Sequence, residues 1–411
     1  MFATVAHQHL SRHLVALVTV MFVAAACGAS STASPSAPAT AAPATAAPAS
    51  ETPAAAESPT TGCEGGVDLP AKYSTPLLTD EHVITTGKPL DTCQYKKDGP
   101  YTIAFINWSA ANSWTAQVNL EAEDEASRYP DIKEFISINA DGDANKQIAQ
   151  VEDMVARQVD AIVLDSISPE GIVPAVEQAY DAGIPVFLFA SGARTNKYVS
   201  SVLADEVQFG RSQGDYLMKE LNCKGKIVAL NGLTGNSTND QRRQGLTDSI
   251  NACPDGGAGI TILAEADAMW AYDQGKIESE RLLAAYPEID GVWSQGGAMT
   301  QGMMDAMKAA GRKLVPMTGE DNNGFILQWQ KEIPNGFKAM SASEPTWQGR
   351  LSIQSALLAL QGLPVYNFYR LKVPTIYEDQ VAQYARPEYT DSYWTNSLLP
   401  KAVADRVYLK P

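Results

Sequence analysis

From Tyr101 onward, short apolar runs alternate with stretches whose apolar residues recur at helical spacing. Tyr101-Thr-Ile-Ala-Phe-Ile106 and Glu134-Phe-Ile-Ser-Ile138 predict strands, and residues 118–128 between them predict a helix. Over 147–157, Ile148, Val151 and Val155 fall on one helical face. Ala161-Ile-Val-Leu164 and Pro185-Val-Phe-Leu-Phe189 predict two more strands, with a helix over 171–182 between them. A second series follows, with strands predicted at 226–230, 260–263, 291–294 and 314–317, each set apart by a helical stretch. Strands this continuously apolar must be covered on both faces, which implies parallel sheets with helices on either side. Two such series predict an α/β fold of two doubly wound parallel-sheet lobes.

In open parallel sheets a ligand lies outside the carboxyl ends of the strands. The residues there are 107–114, 165–167, 190–192, 231–235, 265–270, 295–297 and 318–323. They are rich in amides and carboxylates and include Trp108, Trp114 and Trp270. Amides and carboxylates suit hydroxyl groups, and an aromatic face covers the C–H face of a sugar ring. A lone Trp is more often core than platform, but Trp114 and Trp270 sit in polar loops at crevice positions.

The N-terminal segment reads differently. Arg12 and His13 precede the apolar run Leu14–Ala26, which has signal-peptide length, and Cys27-Gly28 follows small residues. That arrangement resembles a bacterial lipobox, predicting a signal peptide over 1–26 and a diacylated Cys27; an ordinary cleavage site nearby is the alternative. Two acyl chains suffice for stable anchoring. Residues 28–61 are almost entirely Ala, Pro, Ser and Thr and cannot bury a core, so 27–61 is expected to be a lipidated, disordered tether.

Four cysteines remain, Cys63, Cys93, Cys223 and Cys253, and an even number in an exported chain suggests two disulfides. Of three pairings, Cys63–Cys93 and Cys223–Cys253 each close a local loop; free buried thiols are the alternative. The histidines are His7, His9, His13 and His82, so the lobes hold none for a Ser-His-Asp triad, a Cys-His pair or a zinc site. The net charge of −16 repels nucleic acid. No catalytic group, metal or cofactor is expected.

With these residues in order, the chain resembles the periplasmic binding protein type 1 family, in particular the ribose/galactose-type sugar receptors of ABC importers. The resemblance covers about residues 100–376. It rests on Asn112-Ser-Trp114, Gln150–Leu164, Ala182-Gly-Ile-Pro-Val186, Arg242-Arg-Gln-Gly245, Gly319-Glu-Asp321, Val373-Pro-Thr-Ile and Gln380. It implies ligand contacts from Asn112, Trp114, Arg242, Trp270 and Asp321. Helix-surface and helix-cap roles are the plainer readings of Arg242 and Asp321. Where the family carries an Asp-Arg pair this chain has Ala190-Ser191, its Asn-Asp is Gly296-Gly297, and its hinge glutamine is Ser343 beside Glu344. Ser191 and Glu344 are therefore candidate contacts as well. Ribose itself is in doubt, and the glycine pair is expected to make room for a different ligand.

The resemblance further implies three crossings between lobes, near Ala204-Asp205, Ser343-Glu344 and 371–375, about which the lobes close as hinged bodies. The expected organisation is an N-terminal extension at 62–100, one lobe from 101–204 plus 344–372, and the other from 205–343 plus 373–411. The expected role is that of a monomeric, non-enzymatic receptor for a sugar or polyol. It would be anchored to the outer face of the cell membrane, or periplasmic, would touch the membrane through its lipid alone, and would deliver to an ABC permease. An amino acid, an autoinducer or an aromatic acid is the rival ligand class. A carboxylate-based glycosidase is a more distant rival, because the adjacent Glu320-Asp321 pair is poorly placed to flank one bond. A transcriptional regulator would need a DNA-binding helix-turn-helix where this chain has a leader. Asp141-Gly-Asp143-Ala-Asn145 with Glu152 suggests a calcium loop only weakly, because Lys146 replaces the glycine of its turn.

Overall fold

The structure is a computed structural model that describes Cys63 and residues 82–411. The predicted leader, Cys27 and the tether lie outside the described residues. Among the described residues no helix is long and apolar enough to cross a membrane.

In the first series the elements are β1 (Val83–Thr86), β2 (Pro89–Leu90), β3 (Tyr101–Asn107), α1 (Ser113–Ala126), β4 (Ile132–Asn139), α2 (Ala144–Ala156), β5 (Ala161–Leu164), α3 (Val173–Asp181), β6 (Val186–Phe189) and β7 (Ser200–Ala204). The second series runs α4 (Glu206–Glu220), β8 (Gly225–Asn231), α5 (Ser237–Asn251), β9 (Ile260–Asp267), α6 (Tyr272–Ala285), β10 (Gly291–Ser294), α7 (Gly297–Ala309), β11 (Met317–Gly319), α8 (Asn323–Glu332) and β12 (Ala339–Ala342). Closing the chain are α9 (Gln348–Leu360), β13 (Val365–Tyr366), β14 (Phe368–Leu371), β15 (Thr375–Ile376), α10 (Val381–Tyr384) and α11 (Lys401–Tyr408).

Two sheets result, in the orders β1-β14-β7-β6-β5-β3-β4 and β15-β12-β11-β10-β8-β9. Within these two sheets every pairing is parallel except those of the edge strands β1 and β15, and β13 and β2 form a separate antiparallel pair. All four residues of β5, β6 and β10 are buried, as covering on both faces requires, whereas the edge strand β9 alternates between half-buried and exposed. Phe105, Phe187 and Phe189 with Leu351 and Leu357 form one core, and Val292, Met303, Phe325 and Trp329 form the other. The chain passes between sheets three times: β7 into α4, β12 into α9, and β14 into β15.

Helix starts follow local capping chemistry. Asn112, Asp143, Asp205, Asn236 and Asn322 each accept a backbone N–H of the first turn. Asp143 therefore caps α2, and Asp141 pairs with Lys146, which leaves no calcium loop there. The sulfurs of Cys63 and Cys93 are bonded, as are those of Cys223 and Cys253. One strand expected at 314–317 starts instead at Met317, because Pro316 cannot donate to a ladder. The structure adds β7, β12, β14 and β15, which complete the two sheets.

Candidate functional site

One cavity gathers the carboxyl ends of strands from both sheets. It is lined by Trp108, Asn112, Trp114, Asp165, Ala190 and Ser191 from the first series, and by Asn236, Thr238, Arg242, Trp270 and Glu320 from the second. Glu344, on the β12–α9 crossing, completes it. About 380 Å³ there is not filled by protein atoms. The two sides touch directly: Asn236 Nδ2 donates to Ser191 Oγ (3.3 Å), and the Trp108 and Trp270 rings meet edge to face, 6.1 Å between centroids.

Backbone geometry sets the aromatic walls. Trp114 sits in the first turn of α1, and its indole Nε1 donates to the Glu344 carbonyl (3.0 Å), tying a ring of the first lobe to the crossing. Trp270 has φ of 50° and follows Met269 at 55°, a left-handed pair that bulky residues rarely adopt. The bend lays Trp270 across Gly232, where a Cβ would come within 1.9 Å of the indole. Gly296 leaves space that Trp270 and the Glu320 carboxylate occupy, and Gly297 lets the Glu320 backbone approach. The glycine pair thus admits protein atoms; it does not widen the ligand space, contrary to the expectation from sequence.

Arg242, 1% exposed, is the electrostatic centre. Its Nε donates to Glu206 (2.6 Å), Nη1 to Glu320 and the Gln295 carbonyl (both 3.1 Å), and Nη2 to Glu344 (2.6 Å), while Phe209 lies 3.6 Å from the guanidinium carbon. Burial works against the Arg242 charge, but Glu206, Glu320 and Glu344 outweigh it and hold the proton more firmly than usual. Burial pushes Glu206 up to about 8, with Arg242 opposing and Glu344 reinforcing the shift. Glu320 is likewise raised by burial, against the pull of Arg242. Asp165 is 1% exposed, and neither carboxylate oxygen completes a hydrogen bond within the protein. Burial raises its pKa well above the usual range, and the Glu344 charge adds to the shift; the adjacent Ser191 only eases it.

Of the residues expected at the site, Asn112, Trp114, Ser191, Arg242, Trp270 and Glu344 line the cavity. Asn112 spends its Oδ1 on capping α1, so its amide nitrogen is the group it can offer. Asp321 is placed elsewhere. Its carboxylate accepts from Ser343 Oγ (2.5 Å), Thr395 Oγ1 (3.1 Å) and the Asn396 N–H (2.5 Å), and the cavity position belongs to its neighbour Glu320. The cause is the register of β11: Gly319 ends the strand, so Glu320 is the first residue past the carboxyl edge. Sequence reasoning placed Trp108 and Asp165 beyond strand ends without choosing them as contacts, and left out Glu206, Asn236 and Thr238. Trp108 and Asp165 each directly follow a strand, which was a usable signal. Among the described residues the cluster close enough to share a metal ion is Cys63, Asp91 and Cys93, and both sulfurs there are spent in the disulfide.

A family model described as a periplasmic binding protein domain matches residues 103–364. A xylitol-binding protein of Mycolicibacterium smegmatis is 29% identical over 226 residues, covering 52% of this chain and 64% of that one. A D-apiose import binding protein of Actinobacillus succinogenes is 30% identical over 208 residues, covering 50% and 65%. The chain thus spans just under two thirds of the length of these two relatives. A crystal structure of a galactofuranose binding protein superposes with TM-score 0.63 at 24% identity over 69% of this chain and 97% of that one, a likeness of fold.

Proposed function

Because the chain belongs to the periplasmic binding protein domain family, we propose that it is the extracytoplasmic solute-binding component of an ABC importer, holding a sugar or polyol between its lobes. The observation that carries this reading is one buried cavity at the carboxyl ends of both sheets, walled by Trp108, Trp114 and Trp270 and edged by Asp165, Glu320 and Glu344. Ring faces suit the C–H side of a polyol, and carboxylates accept its hydroxyl protons. The names of the relatives, for xylitol, D-apiose and galactofuranose, support a polyhydroxylated guest. They are binding proteins, which supports capture without chemistry.

In this reading residues 101–204 with 344–372 form one lobe and 205–343 with 373–411 the other. They close over the guest about the three crossings. Trp114, Trp270, Asn112, Ser191, Arg242 and Glu344 act as contacts or as their supports, with Glu320 in the place expected of Asp321. Cleavage before Cys27 and its diacylation would hold this monomer at the outer face of the membrane, where its closed form docks on the permease. An acidic guest is disfavoured: Arg242 already gives its N–H groups to three carboxylates and a carbonyl, so an amino acid or aromatic acid would meet surplus negative charge.

The test is native mass spectrometry of the purified protein for a retained small molecule, followed by isothermal titration with sugars, polyols and acids. A polyhydroxylated compound is expected at micromolar or tighter Kd, and Trp270→Ala should weaken it about 10–100-fold, the loss of 1–3 kcal/mol of ring contact. Tight binding of a carboxylic acid alone would overturn the reading.

A further inference from the structure

The charge around the cavity does not balance. Glu206, Glu320 and Glu344 surround a single guanidinium, Asp165 lines the same cavity, and among the described residues no lysine or second arginine lines the space. Buried carboxylates are costly unless paired or protonated. Arg242 is shared by three of them, all 7% exposed or less, so it cannot neutralise the set. Asp165 is left over: it lines the cavity and is almost completely buried, with Ser191 beside it but no cation, and neither of its oxygens in a completed hydrogen bond. The Oε1 of Glu206 is also without one. An orphaned carboxylate facing an empty space wants a donor or a cation from outside the protein.

The walls make the same demand. Trp108, Trp114 and Trp270 all line the space, and the negative quadrupole of an indole face attracts a cation within about 6 Å. A neutral sugar would use the rings for stacking but would leave the surplus carboxylates without a cation. A guest with an ammonium group uses both features at once.

We infer that the guest is a polyhydroxylated solute carrying a positive charge, an amino sugar or amino polyol, with its ammonium group against Asp165 and Glu344 and its carbon frame between the tryptophans. This rests on the solute-receptor reading above and names the chemical class of its ligand. In the empty cavity protons discharge the carboxylates. On loading, the ammonium displaces them, so binding releases protons into solution. Asp165 feels the charges of Glu344 and Glu206, both of which are paired with Arg242.

Matched pairs test the idea on the full chain freed of retained ligand: D-glucamine against D-sorbitol, D-glucosamine against D-glucose, and D-galactosamine against D-galactose. The ammonium member of at least one pair is expected to bind tenfold or more tighter than its neutral partner at pH 7.5. For D-glucamine, whose amine stays protonated throughout, affinity is expected to fall at least tenfold from pH 8 to pH 5.5. Titration in two buffers of different ionisation enthalpy should register released protons. Asp165→Asn should erase most of the preference for ammonium, the charged member of a pair losing at least tenfold more affinity than its neutral partner. Glu280→Gln, at an exposed carboxylate of α6, should change neither. If neutral members bind as tightly as charged ones, or the preference survives Asp165→Asn, the inference fails and the receptor reading stands. If nothing in the panel binds and no small molecule is retained on purification, both fail. Should Asp165→Asn not fold, the pH series and proton release on the unaltered chain decide alone.

Discussion

With Phe209 against one face and carboxylates at its edges, the Arg242 guanidinium has little freedom to meet a ligand directly; it fixes the positions of Glu206, Glu320 and Glu344. The acids carry a pH signature. Burial raises Glu206 from its ordinary 4.5 to about 8. A group whose folded pKa is raised binds more protons in the native state, so the stability it contributes is full below pH 4.5 and declines as pH rises toward 8. Asp165 and Glu320 are shifted in the same direction. Glu265, Glu332 and Asp405 shift downward, so their contribution is lost only as pH falls below the ordinary carboxylate range. The ligand-free protein should therefore unfold more easily at pH 8 than at pH 6, by on the order of a few kcal/mol in urea titrations. Glu206→Gln should flatten that slope, and an unchanged slope would contradict the buried charge set. Trp114 and Trp270 were legible because each lies in a stretch just beyond a strand end, whereas Arg242 came only through the family resemblance. Glu206 was not legible, because its meaning comes from a partner 36 residues away that only tertiary packing supplies.

Helices α4 and α5 bring Glu206 and Arg242 together by crossing with almost no side chain between them. A Cβ on Gly210 would sit 1.8 Å from the Arg242 carbonyl oxygen, and one on Gly245 would sit 2.3 Å from the Val207 oxygen. Gly245→Ala should therefore force the helices apart, costing about 1–3 kcal/mol of stability in thermal unfolding and weakening ligand binding with it. A stable variant with full affinity would show that the crossing has slack. At this scale the long apolar strands were readable from periodicity alone. The short ones were not: Ser200–Ala204 opens with two serines, and Phe368–Leu371 includes an arginine, so each joins its sheet through backbone pairing with a neighbour distant in sequence. β11 begins after Pro316 and ends at Gly319, which leaves Glu320 as the first residue past the strand and at the cavity.

At the scale of the molecule, the C-terminal segment ties both lobes. The Trp394 backbone exchanges hydrogen bonds with the side-chain amide of Gln117 of α1 and its Nε1 donates to Ser113 Oγ (2.9 Å), while Thr395 and Asn396 bind Asp321 of the other lobe. Leu398 and Ser397 reach Glu121, itself paired with Arg350 of α9. Asp321, expected to hold ligand, instead anchors this strap. Nothing in the local sequence of 386–399 marks it as such, because its apolar content is low and its partners are spread over 281 residues of separation. Trp394→Ala should destabilise the protein by about 3–5 kcal/mol and increase the radius of gyration measured by X-ray scattering for the ligand-free form. An unchanged radius would mean the strap does not limit opening.

The bond between Cys63 and Cys93 bears on mechanics. Cys63 also gives its N–H to the Gly362 carbonyl, and Thr92 and Lys97 bond to Leu363 and Leu360, so this corner is riveted to the end of α9. Force arriving through the chain ahead of Cys63 is thus delivered to the half that contains α9, away from the three crossings. If the proposed tether pulls there, that half is the stator and the half bearing Arg242 and Trp270 is the one left to swing.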